Sequence, residues 1–516
     1  MNRKIITAVL MLAMFVINSA KADGGGAVKI GYTFLDEEGN RAVNQSTYNQ
    51  YEGFDFSLEK FRYSLDNGVR FSADLKRLTL NNRNLYFGAE KSGLFGLRLY
   101  NNQYRRVYDY EGNSFIRRHT TSGKIWVYPH QYVKLYGGGS FVGRSGSALQ
   151  FFNVVNGGLP TAVDYEQKQA NVGMQINYRG RMLLAEYGGI NYLNNENYYL
   201  NQSRRRFKVR GFGPVPRYEW ILMHGGFMYY RTWYENKDIE IQSNKGWGGL
   251  TVNLPENFSV SYSFIFERTA SDSDLVGTDN IAHTVYASHL WPGYAGVTVG
   301  YQNDVSDDFE NVVKADSYYF SGWIKPDTKL EFRVEHGFRA EKVDEGSRLP
   351  GVEDRNRFKV SGRYKDNHYG SMRIRYEGRT RNNDQLSSEV DFNRISFDGN
   401  LFVFKYAELS GGYSYSKGDY KNMEERFEFR DHLVYGDLLS HEYYNTHLGL
   451  GVMYYRSKRD NDVEKISLRL TGRYHLPNGY YFEVKYNADN FDNFHVTDEY
   501  YTANIVEINV SKDLLF

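Results

Sequence analysis

LPTAVDYEQKQANVGMQINYRG, running from Leu159 to Gly180, decides the fold. After a Leu-Pro opening expected to turn, Val172, Met174, Ile176 and Tyr178 alternate with Gly173, Gln175, Asn177 and Arg179. A repeat of two residues is the period of a strand whose faces meet different surroundings. Here one face is oily and the other wet.

The pattern recurs along the chain. Leu330, Phe332, Val334, His336 and Phe338 oppose Lys329, Glu331, Arg333, Glu335 and Arg339. Met372, Ile374 and Tyr376 oppose Arg373, Arg375 and Glu377, and Ile466, Leu468 and Leu470 oppose Ser467, Arg469 and Thr471. A soluble sandwich also alternates, but its turns are short at both ends. In this sequence tight turns (NLPEN at Asn253, WPG at Trp291, KPDT at Lys325, KDNHYG at Lys365, HLPNG at His475) alternate with two stretches expected to be long loops, Glu267 to Asn280 and Gly378 to Asp391. Short turns at one end and long loops at the other describe an outer-membrane barrel.

The chain begins as a secretory leader, with Arg3 and Lys4, an apolar run from Ile5 to Ile17, and Ala20-Lys21-Ala22 as a cleavage site. The apolar run falls short of the roughly 20 residues of a spanning helix, and no later stretch approaches that length. Residues 1–22 are therefore expected to be a signal peptide and 23–516 one transmembrane β-barrel domain, because only helices and closed barrels satisfy their backbone in lipid. The fold class is all-β, a transmembrane antiparallel outer-membrane β-barrel of roughly 20–22 strands at about 10 residues per crossing. RFEFRDHLVYGDLL must supply one crossing between Ser416 and His447, and the parity there stays open. The end of the chain, with Val506, Ile508, Val510, Leu514 and Phe516 on one face broken by Lys512, suits a closing strand. Aromatic pairs such as Tyr229/Tyr230, Tyr318/Tyr319, Tyr443/Tyr444 and Tyr480/Tyr481, with Trp233 and Trp247, are expected in the girdles at the two interfaces.

Composition narrows the function. The 516 residues hold 63 Lys+Arg against 62 Asp+Glu, so no basic field points to nucleic acid. There is no cysteine, which rules out disulfides, thiol catalysis and the C-x-x-C-H attachment of c-type haem on this chain. Histidines, among them His224, His283, His336, His447 and His475, stand singly, with no H-E-x-x-H pair and no G-x-S-x-G elbow. No catalytic, cofactor-binding or metal-binding residue is assigned, and the protein is not expected to be an enzyme. Asp272, Asp274 and Asp279 lack the full pattern of a calcium loop and fit a solvated surface loop better. The glycines of Tyr136 to Phe152 lack the phosphate-binding signature. Strand-like sequence from Ala27 leaves no room for a plug domain ahead of the barrel. The wet face carries both signs of charge, which suits a water-filled pore or a protein-filled lumen equally.

Leu159, Pro160, Val163, Asp164 and Tyr165, followed by the alternating strand, resemble the P-V-D-Y turn and strand of the MtrB/PioB-type barrels of bacterial extracellular electron conduits. YYNTHLGLGVMYY, Tyr443 to Tyr455, is similar to their C-terminal strands. Membership would imply an outer-membrane porin that sheathes multihaem c-type cytochromes, periplasmic and extracellular, in a porin-cytochrome complex. It would carry no cofactor of its own, the haem belonging to the partners. Two departures stand out: the C-x-x-C that some members carry near the mature N-terminus is absent, and the chain is shorter than the larger members, which implies a narrower barrel. A passive or substrate-selective porin is the alternative that the same strands allow. A secretion channel or membrane enzyme lacks any supporting constellation.

Overall fold

The computed structural model describes residues 24–515 apart from 44–48, 109–114, 151–158, 273–276, 309–310, 346–352, 384–386, 404–405, 423–424, 461 and 497–498. The leader and Phe516 lie outside the described residues. Every crossing is made by a strand, because no helix among the described residues is long and apolar enough to cross a membrane.

Among the described residues, twenty-six antiparallel strands form a single closed sheet. Those leaving the short-turn end are β1 (Gly24–Gly39), β3 (Val69–Lys76), β5 (Phe95–Val107), β7 (Val133–Gln150), β9 (Arg181–Asn194), β11 (Tyr218–Tyr234), β13 (Phe258–Ser271), β15 (Ala295–Asp307), β17 (Leu330–Glu345), β19 (Gly370–Asn383), β21 (Ala407–Lys421), β23 (Thr446–Arg459) and β25 (Tyr480–Asn493). Those returning are β2 (Gly53–Ser64), β4 (Asn84–Lys91), β6 (Phe115–His130), β8 (Leu159–Tyr178), β10 (Gln202–Val215), β12 (Ile239–Leu254), β14 (Gly277–Trp291), β16 (Val312–Ile324), β18 (Asp354–Asp366), β20 (Ser388–Val403), β22 (Arg426–Ser440), β24 (Val463–His475) and β26 (Tyr501–Leu515). Each strand pairs with its neighbours in sequence, and β1 pairs with β26 from Gly25↔Leu515 to Gly39↔Tyr501, which leaves no open edge.

The turns at one end are tight for a reason visible in the backbone. Arg179 and Gly180 (φ 48° and 76°), Tyr444 and Asn445 (47° and 60°), and Asn478 and Gly479 (64° and 75°) place both central residues at positive φ. That is the type I′ geometry whose twist matches a hairpin. By analogy with known barrels this is the periplasmic end.

Four expectations need correction. The strand number is 26 rather than 20–22, because the connections are shorter than expected and each crossing uses fewer residues: β13 continues to Ser271 and β14 starts at Gly277, and β19 continues to Asn383 while β20 starts at Ser388. The barrel is accordingly wider than expected. Leu159-Pro160 belongs to β8 and makes no turn; the turn of that stretch is Arg179-Gly180 at its other end. The aromatic pairs do not sit wholly in girdles, because adjacent residues of a strand face opposite ways. Tyr229, Tyr318 and Tyr480 lie on the apolar face, whereas Tyr230, Tyr319, Tyr481 and Trp247 share register rows with lumenal residues such as Arg206, Gly337, Ser511 and Gly226. The open parity is resolved: β21, β22 and β23 make three successive crossings.

The outer face is the apolar one. Val172, Met174 and Tyr178 are exposed on it, as are Phe332, Phe358, Met372, Ile374 and Val510. At the short-turn rim Tyr294, Tyr369, Tyr406 and Tyr444 stand exposed. About half-way along the strands a second tier is tied across neighbouring strands. Tyr301 donates to Asp316 (2.6 Å), Tyr376 to Asn393 (2.7 Å), Tyr454 to Glu464 (3.2 Å) and Tyr486 to Asn504 (2.7 Å), while the Tyr413 hydroxyl meets His432 Nδ1 at 2.9 Å. Amphipathic rings with one wet atom suit both interfaces. The fold is that of an outer-membrane β-barrel, and the outer membrane is its location.

Adjacent residues of β8 should therefore respond oppositely to the same change. Met174→Arg, on the lipid face, should cost about 2–4 kcal/mol in reversible urea unfolding from lipid vesicles, and Gln175→Arg, one residue on and in the lumen, within about 1 kcal/mol of nothing.

Candidate functional site: the lumenal wall

The wet face encloses the lumen. With strands about 4.8 Å apart and tilted about 40°, a circular 26-stranded barrel is roughly 50 Å across at the backbone and about 40 Å between side chains. The chain has little with which to cross that gap. The loop-side connections include 235–238, 308–311, 422–425 and 460–462, and apart from 40–52 none is longer than 151–158 or 346–353. A connection of about eight residues reaches out and back by at most roughly 14 Å; the exceptions are 40–52 and the β7–β8 hairpin, whose pairing runs on to Gln150↔Leu159 beyond the ends of β6 and β9.

Charge on the wall carries both signs but is unevenly spread. On β18 the inward residues include Arg355, Arg357, Lys359, Arg363 and Lys365, and on β19 Arg373, Arg375, Arg379 and Arg381. Glu377 is the single inward acid of these two strands. Register sets like charges face to face: Arg355↔Arg381, Arg357↔Arg379 and Arg363↔Arg373. Directly opposed like charges destabilise a sheet. The relief is partial and shared. Glu377 accepts from Arg357 Nε (3.0 Å) and Arg379 Nε (2.7 Å), while Glu353 serves Arg355 (2.8 Å) and Arg381 (3.7 Å). Arg373 is held by Asp398 of β20 through two hydrogen bonds, 3.1 and 3.0 Å.

Elsewhere some of the inward charges are paired. On β9, Glu186 accepts from the Tyr136 hydroxyl (2.8 Å), from Asn171 (3.2 Å) and from Arg206 (2.5 Å). Trp126, Tyr136 and Leu184 pack into a small buried cluster beside it. Arg98 and Lys134 lie over the Trp126 ring at 5.0 and 5.1 Å. At the seam, Lys29 lies near both Glu59 and Glu483, and Arg77 reaches Glu507 at 3.2 Å. Since β6 and β19 are half a circumference apart, the arginine wall faces strands that themselves carry inward cations, among them Arg118, Lys124, Lys134 and Arg144, with Arg118 opposite Arg144 in register.

The arginine juxtaposition was within reach of the sequence. Folding Arg355–Lys365 back on Arg373–Arg381 about the KDNHYG turn puts the like charges opposite one another, but each strand was taken alone. His447 and His475 are likewise not isolated: pairing of β23 with β24 brings their rings to 5.5 Å, with Glu442 3.9 Å from His447. Asp272 and Asp279 are described, but Asp274 lies outside the described residues. The glycine-rich Tyr136–Gln150 is part of β7. Residues 151–152 fall outside the description.

No protein-family model matches the sequence, and no curated protein matches it. Solved structures do resemble the fold. The ferric enterobactin receptor PfeA of Pseudomonas aeruginosa, as a variant in complex with enterobactin, is 10% identical, with TM-score 0.54 over 96% of this chain and 82% of the receptor. A second PfeA variant is 9% identical, with TM-score 0.53 over 96% and 81%. At such identity the likeness is one of fold, that of large outer-membrane barrels.

Glu377→Gln should leave Arg357 and Arg379 facing each other without a counter-charge. We expect a loss of about 1–3 kcal/mol in urea unfolding, recovered in good part when Arg379→Gln is added, as a double-mutant cycle would show.

Proposed function

We propose that this barrel sheathes a multihaem c-type cytochrome in the outer membrane and positions it for electron transfer across the bilayer. One observation carries the proposal: a closed sheet of 26 strands, which as a circular barrel leaves about 40 Å between side chains, with most loop-side connections of eight residues or fewer. A folded domain of about 100 residues, with a radius of gyration near 13 Å, is roughly 34 Å across and fits inside. Left empty, such an opening would pass whole proteins, so an occupant of macromolecular size accounts for the width. The resemblance of Leu159–Tyr165 and Tyr443–Tyr455 to MtrB/PioB-type barrels supplies the identity of the occupant. With no cysteine here, covalently attached haem belongs to that partner. This chain contributes an outer surface that lipid accepts and an inner surface that hydrogen-bonds and pairs with a polar protein.

Mild-detergent extraction from native membranes, followed by haem staining and mass analysis, tests the proposal. The barrel should co-migrate with a haem-bearing chain. A haem-free barrel that conducts ions in planar bilayers, in cells whose extracellular electron transfer survives its deletion, would sink it and leave the porin alternative.

A further inference from the structure

We infer that the arginine wall of β18 and β19 is a binding site for carboxylates, and that its occupant is an acidic face of the protein housed in the lumen; this rests on the sheath proposal for the identity of the occupant. The site has three marks. Three cross-strand Arg-Arg rows sit on one face with a single inward acid between them. Among the described residues, Arg363, Lys365 and Arg375 have no acidic partner, and Arg375 Nε is buried without a hydrogen bond. Around Arg363 and Arg375 the wall dips into a recess of about 210 Å³ lined also by Arg333, Lys359, Ser361 and Arg373, with one acid, Glu331, which lies opposite Arg363 in register and is ion-paired with Lys325 and Arg333.

The first two marks cost stability in the empty barrel. Opposed like charges repel, and a buried guanidinium nitrogen without a partner forfeits its hydration. Carboxylates entering the recess would relieve both at once, since guanidinium binds carboxylate through two parallel hydrogen bonds. The wall runs from Lys365 beside the short turn 367–369 to Arg355 and Arg381 at the loop side, so it follows an occupant along the height of the barrel. β10 also turns four cations inward, Arg204, Arg206, Lys208 and Arg210, of which Glu186 takes up Arg206 while Arg204 donates to Thr232, so the β18–β19 wall is set apart by its three facing Arg-Arg rows rather than by its charge alone.

The test compares the full chain with Arg363→Gln/Lys365→Gln/Arg375→Gln. In planar bilayers at about 0.1 M salt, poly-L-glutamate should block the refolded wild-type barrel, and the triple variant should need about tenfold more or higher. Poly-L-lysine should not block, and Arg363→Lys/Arg375→Lys should keep most of the block. Because repulsion is removed, the triple variant should melt at the same temperature as wild type or above it. Equal block of wild type and triple variant would overturn the inference. In native membranes the variant should lose its haem partner at lower salt than wild type does. If block discriminates but both barrels retain haem alike, the occupant does not dock on this wall and the inference fails in that part. If block discriminates and even wild type carries no haem, the sheath proposal falls while the carboxylate site stands. Should the triple variant fail to insert, Arg363→Gln alone, at a lumen-exposed position, repeats the measurement.

Discussion

A backbone amide in hydrocarbon has no water to turn to, and from that constraint the rest of this structure follows. Each N–H and C=O crossing the bilayer must find a partner on a neighbouring strand, so the sheet has to close. Closure runs through the fifteen-row ladder from Gly25↔Leu515 to Gly39↔Tyr501. Once the sheet is closed, side chains have two destinations. Those on one face meet lipid and those on the other meet the lumen, and the alternation of oily and wet residues records that division.

The same division explains what the sequence disclosed and what it withheld. Val172, Met174 and Tyr178 against Gln175 and Asn177 were legible because lipid and water impose opposite demands two residues apart. Strand number was not, since the loop-side ends of β13, β14, β19 and β20 rise above the lipid. There both faces are wet, as Thr380, Asn382 and Asp391 illustrate, and alternation fades although the hydrogen-bonded ladder continues. The stretches read as long loops proved to be short connections, so each crossing took fewer residues than expected and four more fitted than the upper expectation. The lumenal site was half legible: cations on β18 and β19 were visible one strand at a time, whereas their confrontation is a property of register, which a turn fixes and a single strand does not reveal. The likeness to siderophore receptors adds the architecture and leaves the contents of the lumen to the wall itself.

The tyrosine tiers and the lumenal charge belong to one frame of reference. Tyr301, Tyr376, Tyr413, Tyr454 and Tyr486, tied to polar groups one strand over, mark the loop-side interface, and Tyr294, Tyr369 and Tyr444 mark the other. Between these marks the barrel has little freedom to slide along the membrane normal. The height of each lumenal arginine relative to the bilayer is thereby set, and so is that of whatever pairs with it.

Of all the ladders in the sheet, every one but the seam joins strands that are neighbours in sequence. Hairpins can therefore assemble locally, each with only a short loop to close, whereas β1 must find β26 across nearly the whole chain. Bringing such distant ends together costs about 5 kcal/mol of chain entropy beyond the constant for closing any loop. The meeting of β1 and β26 is thus the one non-local event in folding and the natural candidate for its slow step. A partner captured within the lumen before that event would be enclosed as the wall shuts, with no need to thread a finished ring.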